Sequence, residues 1–264
     1  MDYLIKNYIE ACKPEVLPFG FKRRKNAFVR VINDVMQNFS IERISSGWAC
    51  RVDFAIIPLC LRIEKRYILG GVYSHYLKEF ELISGTPSDS WEYDKHSEAS
   101  MDACLREIMR YVTSYLLPFF EHATNCETAL PEVIRFEKIL SDKCVASPKS
   151  SGIEDRYSDH DSVLKMLQQH LLSDSSKYFM ALKNGDYDFA LRSRQALLQQ
   201  HMDSYNSMSE RGYLTEEDRL RRERSHAELR DEIEHLEARD TGYFQRLLEE
   251  NEAYSRESLG TVLV

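Results

Sequence analysis

Hydrophobic and polar positions alternate most regularly between residues 48 and 57. Trp48, Cys50, Val52, Phe54 and Ile56 fall on one face; Ala49, Arg51, Asp53 and Ala55 fall on the other. Side chains of a strand alternate with a period of two, so this pattern predicts a half-buried antiparallel strand with one face on a core. Upstream, residues 27–32 and 35–44 read as two further strands. Asn33-Asp34 and Ser45-Ser46-Gly47 mark the turns. Three strands joined by short turns make a meander. Pro58 ends the third, and residues 59–63 offer a short fourth. Residues 73–83 fit helix or strand equally, 85–90 form a loop, and Trp91-Glu92-Tyr93 suits an edge strand.

Helical spacing takes over on either side. Residues 2–13 predict a first helix with Tyr3, Leu4, Tyr8 and Ile9 inward and Pro14 close behind its end. Gly20 turns the chain, and Lys22–Lys25 sit in a loop entering the meander. Ser97 and Glu98 open a long helix to about residue 117, with Met101, Cys104, Leu105, Ile108, Met109, Val112, Tyr115 and Leu116 on its apolar face. Pro118 marks its end or a kink. A shorter helix follows at 129–141. Helix, antiparallel meander and packed helices place residues 1–144 in the α+β class.

Residues 145–157 have the Ser, Pro and Gly content of a linker. Residues 158–264 then read as an all-α domain, with helices at 161–172, 175–183 and 187–207. Asn184-Gly185 closes the second of these and Asp186 caps the third. Thr215-Glu216-Glu217-Asp218 opens a helix to about 239 with a capping-box pattern, and 243–257 continue beyond Gly242. Leu229, Ile233, Leu236, Tyr243, Leu247 and Tyr254 form a stripe. It suits an intramolecular bundle, or a homodimer through the C-terminal helices.

Charge adds a division to this picture. Of 264 residues, the first 146 hold 19 Lys and Arg against 20 Asp and Glu, whereas the rest hold 16 against 23. An acidic second half argues against a duplex-binding surface, because phosphates are held by net positive patches. No stretch matches a signal peptide or a membrane span, so a cytoplasmic address is expected. The six cysteines are scattered without a C-x-x-C pair, which in such a chain reads as reduced, mostly buried thiols.

Gly20-Phe21-Lys22-Arg23 followed by Phe28, the strand Trp48–Leu59, the isolated Trp91 and Leu117-Pro118-Phe119-Phe120-Glu121 recur in one order and spacing. On these residues the chain resembles, over roughly residues 1–141, the uncharacterised and mainly bacterial domain-of-unknown-function family 4304. The resemblance implies the α+β fold and no catalytic activity. The helical half lies outside it.

The sequence offers few constellations of chemistry. Glu223 and His226, and Glu232 and His235, repeat the Glu-x-x-His spacing of di-iron bundles. Both pairs fall on one predicted helix nine residues apart, hence on opposite sides and about 13 Å apart along its axis, which no single metal cluster spans. His122 and Cys126 lack the further ligands of a closed zinc site, and Asp159-His160-Asp161 reads as helix capping. Gly185-Asp186-Tyr187 with Ala190 resembles one tetratricopeptide junction, but a second copy is missing. No nucleophile elbow, Walker loop or zincin motif is found. No catalytic, metal or cofactor site is therefore assigned.

The expected function is that of a protein-binding module of the immunity or antitoxin kind, in which an acidic surface meets a basic partner. Glu228, Asp231 and Glu232 are its candidate contacts. Lys22, Arg23, Arg24 and Lys25 are the other candidate contact patch, open also to weak single-stranded nucleic-acid binding with Phe21 and Phe28 stacking on bases. An enzyme whose site assembles from distant residues is the alternative.

Overall fold

Phe28, Phe39, Phe54 and His75 form one row across four neighbouring strands, and this row fixes the register of the sheet. The computed structural model describes residues 3–44, 47–64, 75–81, 90–146 and 174–263. Its sheet is antiparallel, with β1 (Lys22–Arg24), β2 (Ala27–Ile32), β3 (Val35–Ile44) and β4 (Ala49–Pro58) in chain order. Two short strands, β5 (His75–Tyr76) and β6 (Trp91–Glu92), both pair with the far side of β4 at different heights. The α+β class holds, and so does the meander.

Three local expectations change. Residues 59–61 form a 3-10 turn rather than a strand. Lys22–Arg24 are the edge strand β1, not a loop, with Lys25 in the following turn at φ +51°. And β4 is buried on both faces: Ala55 and Ile57, on the side opposite Phe54, join Val29, Met36, Leu59, Ile63 and Leu259 in a second apolar cluster. Alternation misleads here because a helix from the far end of the chain returns to cover that face.

Helix α1 (Tyr3–Val16) buries Leu4, Tyr8, Ile9 and Cys12 on the main face of the sheet and runs through Pro14, three residues past its predicted end. Helix α2 (Glu98–Tyr111) begins at Ser97, whose side chain accepts from Ser100 N. It does not stop before Pro118. A π turn over Val112–Leu116 leads straight into α3 (Leu117–His122), and the Leu117 N–H bonds back to Val112 O. Proline brings no N–H to the ladder, and a wider turn just ahead of it relieves the clash that would break the helix. Helix α4 (Cys126–Ala146) is longer than predicted at both ends and occupies the first residues of the expected linker.

The second half is helical: α5 (Ser175–Lys183), α6 (Tyr187–Glu210), α7 (Glu216–Glu237) and α8 (Thr241–Leu263). Side-chain caps open three of them, two of which, at Asp186 and Thr215, the sequence predicts. Asp174 accepts from Ser176 N, Asp186 from Phe189 N, and Thr215 forms a full capping box with Asp218. Gly185, at φ +74°, takes the left-handed position after α5 that an L side chain resists. The helix expected at 161–172 and the Asp159-His160-Asp161 motif lie outside the described residues.

The two halves share a core. Tyr178, Phe179, Met180 and Leu182 of α5, with Leu236, Phe244 and Leu248, belong to the same apolar cluster as the sheet and α1–α4. Farther along α8, Ser255 Oγ accepts from Ile63 N (2.6 Å), and Arg256 Nη2 donates to Asn33 O (2.9 Å). These bonds stitch α8 to the segment after the 3-10 turn and to the β2–β3 turn. The buried line of α8 is Phe244, Leu248, Asn251, Ser255 and Leu259, one position displaced from the predicted Tyr243 and Leu247.

Residues of the family-like motifs meet in space. Phe21 packs on Phe39 and Phe120, with ring centroids 5.5 and 5.7 Å away. Arg30 lies over the Phe21 ring, donates to Phe19 O and Gln37 Oε1, and pairs with Glu121 at 2.7 Å. Gln37 Nε2 donates to Phe120 O and Ala123 O, both 2.8 Å away. These buried groups satisfy carbonyls left without donors where α3 ends. The motif is an architectural joint.

Candidate functional site

Helices α6 and α7 form a hairpin, and from Gln195 to Ser225 no side chain of it is buried. At its base the pair is firmly joined. Arg194 Nε and Glu232 Oε2 form an ion pair at 2.6 Å, and the Arg194 guanidinium lies 3.4 Å over the Tyr178 ring of α5. Burial pushes the Tyr178 hydroxyl well above its ordinary pKa of 10.0. Arg239 reaches back to Asp188 at 2.8 Å, and the His235 ring stacks on Tyr243 at 4.0 Å. Midway, the His226 ring sits between His201 and Tyr205, and burial lowers the His201 pKa.

Beyond His226 the contacts thin out. Arg222 Nη2 donates to Met208 Sδ at 3.1 Å. Met202, Tyr205, Met208 and Leu214 are only half-buried, while Tyr213 (68%) and Leu220 (58%) are the most exposed large apolar side chains among the described residues. Two helices alone cannot seal an apolar seam, so this one keeps contact area for a third surface. Met and Tyr suit such a surface, being adaptable or amphipathic.

The predicted acidic contacts divide. Glu228 and Asp231 are exposed, three residues apart on α7, and face outward together. Glu232 does not join them: it is half-buried and spoken for by Arg194. The basic run is also reassigned. Arg23 Nε donates to Lys25 O (3.1 Å), and Lys22–Arg24 line the open edge of the sheet. Charge on an edge strand opposes the addition of another strand. Phe21 and Phe28, the expected base-stacking rings, lie in the core at 2% and 0% exposure. They present no platform.

The Glu-x-x-His pairs come apart as the helical geometry requires. His226 is buried between rings, whereas His235 Nδ1 contacts Asp240 Oδ2 at 3.1 Å. His122 ends α3 and Cys126 begins α4, with the helix interrupted between them, so they share no helical face. Among the described residues no three His, Cys, Asp or Glu side chains gather as a metal site would need. No helix among them is long and apolar enough to cross a membrane.

Sequence reasoning missed a second feature. Glu137 of α4 meets Lys177 of α5 in an ion pair, and its other oxygen lies 3.4 Å from His75 Nε2 on β5. Lys177 is 1% exposed. Burial alone would raise the Glu137 pKa, but His75 and Lys177 hold it below its ordinary 4.5. Burial raises that of Asp174, whose carboxylate also caps α5. Phe54 and Phe136 flank the His75 ring at 5.6 and 5.2 Å. His75, Glu137 and the Asp174–Lys177 pair lie 62 and 37 positions apart along the chain, which leaves no local motif to read.

No family model, curated protein or solved structure matches the chain.

Proposed function

We infer that the protein acts by binding another protein, with the distal α6–α7 hairpin as its docking arm. The observation that carries this reading is the half-covered seam from Met202 to Leu214, crowned by exposed Tyr213 and Leu220. Exposed apolar side chains on a projecting polar hairpin contribute nothing to the protein's own core and much to an interface. Glu228 and Asp231, farther down the same arm, support a partner with a basic rim, and such charges act on the rate of encounter. An acidic antitoxin-like inhibitor is the specific form this takes.

Affinity capture of the full chain from its native cell tests the reading. A stoichiometric partner retained by wild type and lost from Tyr213→Ala/Leu220→Ala supports it. A partner that stays bound to the double variant contradicts it.

The enzyme alternative has an observation of its own in the convergence of His75, Glu137, Lys177 and Asp174. Buried charges of both signs beside aromatic rings also occur as purely structural locks. The burial of Lys177 favours the lock, since a group that meets substrate needs access.

A further inference from the structure

Among the described residues two pairs of thiols meet, each joining the β4 region to a later helix. Cys60, in the 3-10 turn after β4, lies beside Cys126 at the start of α4. Both also face backbone oxygens, with Cys60 Sγ 3.6 Å from Phe179 O and Cys126 Sγ 3.9 Å from Asp34 O. The other pair is built differently. Cys50 on β4 and Cys104 on α2 bring their sulfurs to 3.6 Å and share a hydrogen bond.

Either sulfur can donate in that shared bond. The bond eases the ionisation of Cys104 against burial and the nearby Glu107 carboxylate, and the Lys78 ammonium favours the thiolate at both sulfurs. Cys104 is also the less enclosed, at 5% exposure against 0% for Cys50. Along the sheet, Cys50 pairs with Trp91 of β6, a strand only two residues long. Short edge elements open locally without global unfolding. Joining the sulfurs requires an approach of about 1.5 Å, toward a bond of about 2.05 Å.

We propose that Cys50 and Cys104 form a redox-active pair that a hydroperoxide converts to a disulfide, tying β4 to α2. The Cys104 thiolate attacks the peroxide oxygen; the O–O bond breaks, an S–O bond forms, and the departing oxygen takes a proton. Cys50 then gives up its proton and attacks the Cys104 sulfur, the S–O bond breaks, and water leaves. Two thiols lose two electrons and two protons, and one peroxide is reduced. The neighbouring thiol intercepts the sulfenic acid before further oxidation, as a resolving cysteine does. The pair lies far from the hairpin in the chain and its chemistry is independent of the binding role.

The test is a titration of the full chain with hydrogen peroxide, followed by alkylation, non-reducing digestion and mass spectrometry. The expected result is a Cys50–Cys104 linked peptide at lower peroxide than any other cysteine product. In Cys50→Ser, Cys104 stalls as sulfenic acid and labelling by dimedone rises about tenfold. The wild-type titration decides the matter even where the variant does not fold. Cys50 and Cys104 remaining alkylatable while methionines of the same chain oxidise overturns the proposal, as does prior linkage of Cys60 to Cys126.

Discussion

Arg194 of α6 and Glu232 of α7 stand 2.6 Å apart at the root of the hairpin, with the Arg194 guanidinium over the Tyr178 ring. This pair anchors the arm to the body, and it takes Glu232 out of the acidic surface.

Arg194→Ala is therefore expected to destabilise the protein by about 3 kcal/mol, because it strands a half-buried carboxylate and uncovers Tyr178. Glu228→Ala, on the outer side of the same helix, should stay within about 0.5 kcal/mol of wild type. Urea unfolding of both variants measures the difference. Equal effects would mean that the arm is not anchored through this pair.

Glu137 gives the protein a dependence on acid. Its carboxyl titrates below the ordinary 4.5 in the folded state. A depressed carboxylate contributes stability above its unfolded pKa, and that contribution is lost as pH falls through the folded value. Urea midpoints followed from about pH 7 to about pH 3 should decline, with a shallower decline in Glu137→Gln. At neutral pH the same variant should lose about 3 kcal/mol, since Lys177 is left charged and enclosed. An unchanged acid slope in Glu137→Gln would assign the decline to other carboxylates.

Gln37 offers a test of the joint between the sheet and α3. Gln37→Leu keeps the side chain's approximate size but withdraws the donor shared by Phe120 O and Ala123 O. The expected cost is about 2 kcal/mol, because Ala123 O loses its side-chain donor and the buried Arg30 Nε loses its acceptor, while Phe120 O keeps Arg30 Nη2. A neutral outcome in thermal unfolding would show that water reaches this joint.

Charge reversal at the arm should act on kinetics. Glu228→Lys/Asp231→Lys is expected to slow association with the captured partner several-fold at low salt and to flatten its salt dependence, with stability unchanged. Stopped-flow association rates at two ionic strengths measure it. Identical salt slopes would remove charge from the account.

The sequence made strands 27–32 and 35–44 legible to the residue, because alternation and turn residues coincide there. Helix starts at 187 and 216 were equally clear, since Asp186 and Thr215 announce them as capping side chains. What stayed hidden was long-range. The second covered face of β4 depends on Leu259, some 200 positions away. The seated line of α8 includes Asn251 and Ser255, polar residues that disguise a buried stripe. Pro118 reads locally as a stop, and only the π turn before it lets the helix pass. For the candidate site, Glu228 and Asp231 were legible as a charged face, whereas Glu232 was lost to a partner on another helix. Tyr213 and Leu220 gave no periodic signal, because their significance lies in what fails to cover them.

The most direct measurement of the docking role is photo-crosslinking in the native cell from a reactive residue placed at Tyr213, with a control at exposed Glu127 of α4. The account predicts one discrete heterologous adduct from position 213 and none from 127. Adducts from both positions alike, or none from 213 while the protein is folded and abundant, would contradict it.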